Sequence, residues 1–208
     1  MMNSTHAWPT PKWRLGIWCL LILLAGGGIL SLAVGGGEQK ETASSPGSAT
    51  VKPEESSMAP ELTGLRTWFN SEPLELRNLR GKVVLVHFWT FGCINCLRNL
   101  PLYNQWQADF AKQGVVIIGV HTPEFDHEAD SQAVAEQLKK HKIDYAVATD
   151  PDSKTWDAFK NRYWPAIYVI DRQGHIRHRW EGELEHNQAG GDGQIRTLVE
   201  RLLAEQPR

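Results

Sequence analysis

Residues 88–101 read FWTFGCINCLRNLP, and this stretch decides the fold. The residues just before it, 83–86 (VVLV), form a continuous apolar run that predicts a strand buried on both faces. Gly92 permits a tight turn, and apolar residues recur at helical spacing after it as far as Phe110. The stretch therefore predicts a strand, a turn and a helix that begins at about Cys93.

Cysteine usage indicates chemistry rather than a disulfide scaffold, because the chain has only three cysteines. Cys93 and Cys96 form the only close pair, whereas Cys19 lies in an apolar segment. At the start of a helix, Cys93 meets unpaired N–H groups and the positive end of the helix dipole, which favour its thiolate. Cys96 follows one turn later, within reach of Cys93. The spacing therefore predicts dithiol exchange without a cofactor, in which Cys93 attacks and Cys96 resolves.

A metal site is an alternative use of such a cysteine pair. Structural zinc usually takes four ligands, and the chain has no second cysteine pair. His87 and His121 can supply nitrogen ligands, yet neither has a partner at the spacing of zinc-binding histidines. We therefore expect redox chemistry at the pair and no metal.

The rest of the chain alternates between strand and helix patterns. Residues 115–118 (VVII) predict a second buried strand, which completes a parallel strand–helix–strand unit. The further predicted elements are a helix at 130–141, a strand at 145–148, a hairpin of strands 166–170 and 176–180, and a last helix around 195–203. Together they predict an α/β fold with a mixed central sheet and helices on both faces.

The N-terminal region predicts a membrane anchor. Residues 15–34 carry no charge, and twenty such residues are enough to cross a bilayer as a helix. Lys12 and Arg14 precede the run, so residues 1–14 are expected in the cytoplasm and everything after the run outside it. A cleaved signal peptide is the alternative, although its apolar core is usually only about 7–15 residues long.

Two segments follow the predicted anchor. Residues 35–60 are rich in Gly, Ser, Pro and Glu and poor in large apolar groups, so they predict a flexible linker. Residues 61–208 are then predicted to form the folded domain. The net charge of the chain is -2 and no basic block occurs in its body, which argues against nucleic acid as a partner.

Three separated stretches resemble one known family. Residues 88–101 resemble the active-site segment of TlpA-like membrane-anchored thioredoxins. With residues 119–125 (GVHTPEF) and 163–166 (YWPA), the chain is similar to the thioredoxin-like C-terminal domain of DipZ proteins. This resemblance implies a thioredoxin fold with a cis-proline at Pro165 that faces the cysteines. It also implies a substrate-binding surface near these motifs, formed by Trp89, Phe91, Ile94, Asn95 and Trp164.

Two positions depart from the family pattern. His87 stands six residues before the first cysteine, where many thioredoxins have a buried carboxylate, and Asn99 stands where TlpA-like reductases often have Glu. We expect His87 to be a hydrogen-bonded core residue, with a role as a base as the alternative. Because Asn99 cannot titrate, we expect Glu124 to relay the proton of Cys96. A solvated Glu124 that only caps its loop is the alternative.

The leading functional hypothesis is a thiol–disulfide oxidoreductase anchored in the inner membrane, with its catalytic domain in the periplasm. The resemblance implies that it reduces disulfides of exported proteins or of cytochrome c precursors. DipZ proteins carry a multi-helix electron-carrying membrane part, so here we expect a separate membrane protein as electron donor. The alternatives are a copper-handling protein that uses the two thiolates with His121, and a peroxiredoxin-like peroxidase.

Overall fold

The computed structural model describes residues 57–205 of the chain. The elements are β1 (Trp68–Phe69), β2 (Val83–Trp89), α1 (Ile94–Phe110), β3 (Val115–His121), α2 (Ser131–Lys140), β4 (Ala146–Thr149), α3 (Lys154–Ala158), β5 (Ala166–Ile170), β6 (Ile176–Glu181) and α4 (Gly191–Ala204). The predicted membrane-spanning helix at residues 15–34 lies outside the described residues. Within residues 57–205, no helix combines the length and the apolar character needed to cross a membrane.

The six strands form one mixed sheet in the order β1-β4-β3-β2-β5-β6. The strands β2, β3 and β4 are parallel, whereas β1, β5 and β6 run antiparallel to their neighbours. All seven residues of β2 are buried, as its continuous apolar run predicts. The register places Trp89 beside His121 and Phe88 beside Ala166. The ends of β2 and β3 and the start of β5 therefore meet at one edge of the sheet.

Alternate residues of β2 point to opposite faces, and each face has its own core. Leu85 and Trp89 pack with the apolar sides of α1, α2 and α4. Val86 and Phe88 pack on the other face, which is covered by the segment before β2 and by the region around α3. Each large side chain that is fully buried stabilises the fold by about 1.5–3 kcal/mol. The prediction of helices on both faces of a mixed sheet is confirmed.

Helix α1 begins directly after Cys93 and continues through Pro101, as the sequence predicts. The short elements β1 and α3 were not predicted, because two and five residues are too few for a periodic pattern to show. The side chain of Asp150 holds the start of α3, since it accepts hydrogen bonds from the backbone N–H groups of Thr155 (3.3 Å) and Trp156 (2.9 Å).

The first described residues pair with the start of β6. Met58 forms an antiparallel bridge with His175, and the Ala59 N–H donates to the Gly174 carbonyl at 2.8 Å. Ala59 is buried. Residues 57–59 are thus paired with the sheet by backbone hydrogen bonds, although the composition predicts a flexible linker up to residue 60. His175 precedes β6 at the end of the sheet opposite to the end where β2 meets α1.

Candidate functional site

The cysteine pair lies where β2 ends and α1 begins. A disulfide joins Cys93 to Cys96, with 5.3 Å between their Cα atoms. Cys93 caps the helix, because its sulfur accepts a hydrogen bond from the Cys96 N–H at 3.2 Å. Cys93 is half-buried, whereas Cys96 is only 1% exposed. An incoming sulfur can therefore reach Cys93 much more readily than Cys96.

The predicted cis peptide bond is present between Trp164 and Pro165. Pro165 directly precedes Ala166, which pairs with Phe88 near the end of β2, so the proline lies at the same sheet edge as the cysteines. The Trp164 ring packs 4.0 Å from the Trp156 ring, centroid to centroid. Its indole N–H donates to the Thr122 carbonyl at 3.2 Å. The loop before the proline is thus tied to both β3 and α3.

Four of the five predicted substrate-binding residues have accessible side chains. Ile94 and Asn95 are exposed, and Phe91 and Trp164 are partly exposed. The prediction that Trp89 binds substrate is wrong, because this side chain is fully buried in the core beneath α1. A strand with both faces covered leaves no side chain for a substrate to touch.

Two exposed aromatic residues near this edge were missed. Phe125 is 57% exposed and Tyr163 is 59% exposed, although large apolar side chains are usually buried. Tyr163 directly precedes the cis-proline pair, and Phe125 lies in the loop after β3. The motifs that carried the resemblance contain both residues, but nothing in their spacing shows whether they face solvent or the core.

Aromatic and imidazole rings connect this loop to the active-site turn. The rings of Phe125 and His127 stack with 5.9 Å between their centroids. The rings of His127 and Phe91 make a T-shaped contact with 6.4 Å between their centroids. The Phe91 ring in turn stacks on His121 at 5.4 Å. His121 is buried, and this burial lowers its pKa to about 4, so the imidazole is neutral at physiological pH. A row of aromatic and imidazole rings therefore runs from the loop after β3 to the turn before Cys93.

The carboxylate beside the active-site turn is Glu128 rather than Glu124. Glu124 is exposed, which favours the alternative of a solvated side chain over the predicted role as proton relay. Glu128 is 0% exposed, and one of its oxygens accepts from the Gly92 N–H at 2.9 Å. Its other oxygen accepts from the N–H groups of Glu124 (2.7 Å) and Phe125 (3.1 Å). A short 3-10 turn at Asp126–Glu128 brings this side chain inward.

His87 is a core residue, but the hydrogen bond expected for it is missing. Its ring is fully buried and packs 4.3 Å from the Tyr103 ring. Neither ring nitrogen has a hydrogen-bonding partner within the part of the chain that the structure describes. Burial lowers the pKa of His87 to about 3, so the imidazole is neutral and a weak base. The structure thus favours a core role over a catalytic one.

Asn99 stabilises the packing of α1 instead of titrating. It is buried, and its carbonyl accepts from the Leu184 N–H at 3.0 Å. Its amide group donates to the Gly182 carbonyl at 3.2 Å and to the Tyr103 hydroxyl at 3.3 Å. The position thus ties the active-site helix to the loop after β6.

The copper alternative requires a third ligand beside the two sulfurs. Among residues 57–205, no three His, Cys, Asp or Glu side chains come together as a metal site. His121, the proposed ligand, stacks on Phe91 and lies 3.4 Å from the Thr90 hydroxyl through its Nε2 atom. No observation on the described residues favours copper handling.

Comparisons with known proteins agree with this geometry. Residues 56–179 match the family model described as AhpC/TSA family. DipZ of Mycobacterium tuberculosis is 41% identical over 148 residues, which are 70% of this chain and 20% of DipZ. This chain therefore spans about a fifth of the length of that relative. The thiol-disulfide oxidoreductase YkuV of Bacillus subtilis is 34% identical over 148 residues, which are 70% of this chain and 94% of YkuV.

A solved structure gives the same fold. The solution structure of a thioredoxin-like protein in the oxidized form is 32% identical and has a TM-score of 0.62. The match covers 72% of this chain and 97% of that protein. The predicted thioredoxin fold and the predicted resemblance are therefore confirmed.

Proposed function

Because this chain belongs to the AhpC/TSA family, in its TlpA-like thioredoxin group close to the C-terminal domain of DipZ proteins, we propose a specific task for it. The chain is a thiol–disulfide oxidoreductase, and the proposed task is the reduction of disulfides in exported proteins or cytochrome c precursors. The contrast between Cys93 and Cys96 is the observation that carries the exchange activity, because only one sulfur is accessible to attack. The proposed substrates rest on the resemblance to the family.

The reaction consists of two exchanges that together move two electrons. The Cys93 thiolate attacks a substrate disulfide, which releases one substrate sulfur as a thiolate and forms a mixed disulfide. Cys96 then attacks Cys93, which releases the second substrate sulfur and closes the Cys93–Cys96 disulfide. The structure holds this oxidised product. A further turnover requires a donor of two electrons, and we assign this role to a separate membrane protein.

The proposed substrate surface consists of accessible apolar side chains at the same edge of the sheet as Cys93. Ile94, Phe125 and Tyr163 are the exposed members, and Phe91 and Trp164 lie partly exposed among them. Such a surface favours extended segments in which apolar residues flank the cysteine, because their burial stabilises the encounter. Unfolded or incompletely folded polypeptides expose segments of this kind.

The proposed location is the outer face of the inner membrane. Its support is the uncharged run at residues 15–34, together with the positive charges at Lys12 and Arg14 that precede it. By the same charge rule, the catalytic domain is expected in the periplasm. Carbonate extraction of membranes, followed by protease treatment of intact and permeabilised spheroplasts, tests the anchor and its orientation. Protease resistance of the domain in intact spheroplasts would contradict the proposed topology.

Trapping of mixed disulfides tests the proposed roles of the two sulfurs. Cys96→Ser should accumulate covalent complexes with substrates, because attack proceeds and resolution does not. Cys93→Ser should form none and should lose disulfide reduction. Complexes that appear with Cys93→Ser and not with Cys96→Ser would reverse the roles. Alkylation of the wild-type protein in growing cells should find the pair mostly reduced, and a mostly oxidised pair would overturn the proposed direction of electron flow.

A further inference from the structure

The Glu128 side chain connects the loop after β3 to the active-site turn, which are distant in sequence. One carboxylate oxygen caps the short turn that contains Glu128, through the N–H groups of Glu124 and Phe125. The other oxygen crosses to the active-site turn and accepts from the Gly92 N–H. Gly92 directly precedes Cys93 in the chain. The backbone that presents the attacking sulfur is therefore held by a side chain from the loop after β3.

Glu128 is a buried anion without a cation to balance it. Burial raises the pKa of its carboxyl group, but hydrogen bonds from Glu124, Phe125, Gly92 and the Thr90 hydroxyl outweigh burial and leave the pKa below its usual value. The group is thus charged at physiological pH. None of the ion pairs among residues 57–205 involves Glu128. The imidazole of His121, which feels this charge, is itself neutral.

The glycine at position 92 is required by this contact. A Cβ atom added to Gly92 would overlap with the Glu128 carboxylate, which is the group nearest to that position among the described residues. The φ angle of Gly92 is not in the left-handed region, so backbone freedom does not explain the residue. The turn before Cys93 is therefore shaped to admit a carboxylate.

We propose that Glu128 is a positioning residue that fixes the turn before Cys93 and, through its uncompensated charge, makes the cysteine pair more reducing. The inference rests on the dithiol exchange proposed above. A negative charge beside Cys93 disfavours its thiolate, which exists only in the reduced protein. The reduced form is then less stable relative to the disulfide, so the pair gives up its electrons more readily. Glu128 acts through Cys93 and does not touch the substrate.

Glu128→Gln tests the charge with nearly the same shape. The full-length protein is equilibrated with reduced and oxidised glutathione, in the reaction protein disulfide plus two glutathione thiols to protein dithiol plus glutathione disulfide. We expect this equilibrium constant to rise about tenfold, which is about 30 mV for a two-electron couple. The ultraviolet absorbance of the thiolate, followed against pH, should show Cys93 ionising at a pH about one unit lower than in the wild type.

Glu124→Gln is the matched control, because it removes an exposed carboxylate from the same loop. It should change the equilibrium constant by less than about twofold, since exposed charges are screened by solvent. A purely structural Glu128 would give a different result in Glu128→Gln. A loosened turn would weaken the alignment of Cys93 with the helix N-terminus, so Cys93 would ionise at the same or a higher pH. That result, or an unchanged equilibrium constant, would overturn the inference.

A double-mutant cycle tests the contact if Glu128→Gln folds poorly. Gly92→Ala should lower the melting temperature in the wild-type background, because the new methyl group displaces the carboxylate. The same change should have a smaller effect in the Glu128→Ala background, where the obstacle is gone. Equal effects in both backgrounds would contradict the contact. A wild-type protein that fails to exchange with glutathione would instead refute the proposed function and not this inference alone.

Discussion

Replacement of His87 by Leu should make the protein less sensitive to acid. The folded protein holds His87 as a neutral imidazole, because burial lowers its pKa to about 3. In the unfolded chain the pKa returns to its ordinary value of 6.5. Between these two values the unfolded chain binds a proton that the folded protein does not bind. The free energy of unfolding therefore decreases as the pH falls through 6.5.

The size of this effect follows from the two pKa values. From pH 7 to pH 5, the proton uptake of the unfolded chain at His87 lowers the free energy of unfolding by about 2 kcal/mol. His121, whose pKa burial lowers to about 4, contributes a similar loss of about 2 kcal/mol. His87→Leu should remove the first contribution and keep the second. At pH 7 the free energy of unfolding of the variant should equal that of the wild type or exceed it by up to about 2 kcal/mol, because the variant buries no unpaired nitrogen.

Guanidinium chloride unfolding at pH 7 and pH 5, followed by circular dichroism, measures both stabilities in the disulfide-bonded protein. His186→Gln is the control, since it removes an exposed histidine and leaves the core unchanged. If His87→Leu loses as much stability between the two pH values as the wild type does, the reasoning from burial to a neutral imidazole is refuted.

Three further changes test contacts of the site. Asp150→Ala should lower the free energy of unfolding by about 1–2 kcal/mol, because α3 loses the acceptor for its first N–H groups; denaturant unfolding measures this, with exposed Asp152→Ala as the control. Asn99→Ala should cost about 1–3 kcal/mol by the same measurement, because it leaves the buried Leu184 N–H without its acceptor; a loss below about 0.5 kcal/mol would contradict the contact. Glu124→Gln should leave the rate of the resolving step and its pH dependence unchanged in stopped-flow measurements, because its carboxylate lies in solvent; a slowed step would restore Glu124 as the relay.

The central part of the fold could be predicted because its signals are local. Residues 83–86 and 115–118 are apolar runs, and both lie in buried strands. The helix after Cys93 shows its apolar face over many turns and forms as predicted. The apolar pattern of the strand that ends at Trp89 already argues against Trp89 as a substrate-binding residue. A strand buried on both faces places Trp89 in the core, whatever motif surrounds it.

The acidic loop after β3 shows what local patterns do not contain. Residues 124–130 include four carboxylates, Glu124, Asp126, Glu128 and Asp130, and all four are plausible surface groups by composition. Only the 3-10 turn at Asp126–Glu128 turns one of them inward, to an N–H group 36 residues away in sequence. Partners so distant depend on how β2 and β3 align, and this register cannot be read from either strand alone. His87 is a similar case, because its neighbours come from α1 and from the segment before β4.

The pairing of Met58 with His175 determines how the domain is presented to other proteins. Because β5 runs antiparallel to β2, this attachment lies at the pole of the sheet opposite to Cys93. The seven residues of β2 separate the two poles by about 20 Å. Met58 thus lies at one end of the domain and the reactive sulfur of Cys93 at the other. A protein substrate can therefore approach Cys93 along the axis of the sheet without contacting residues 57–59.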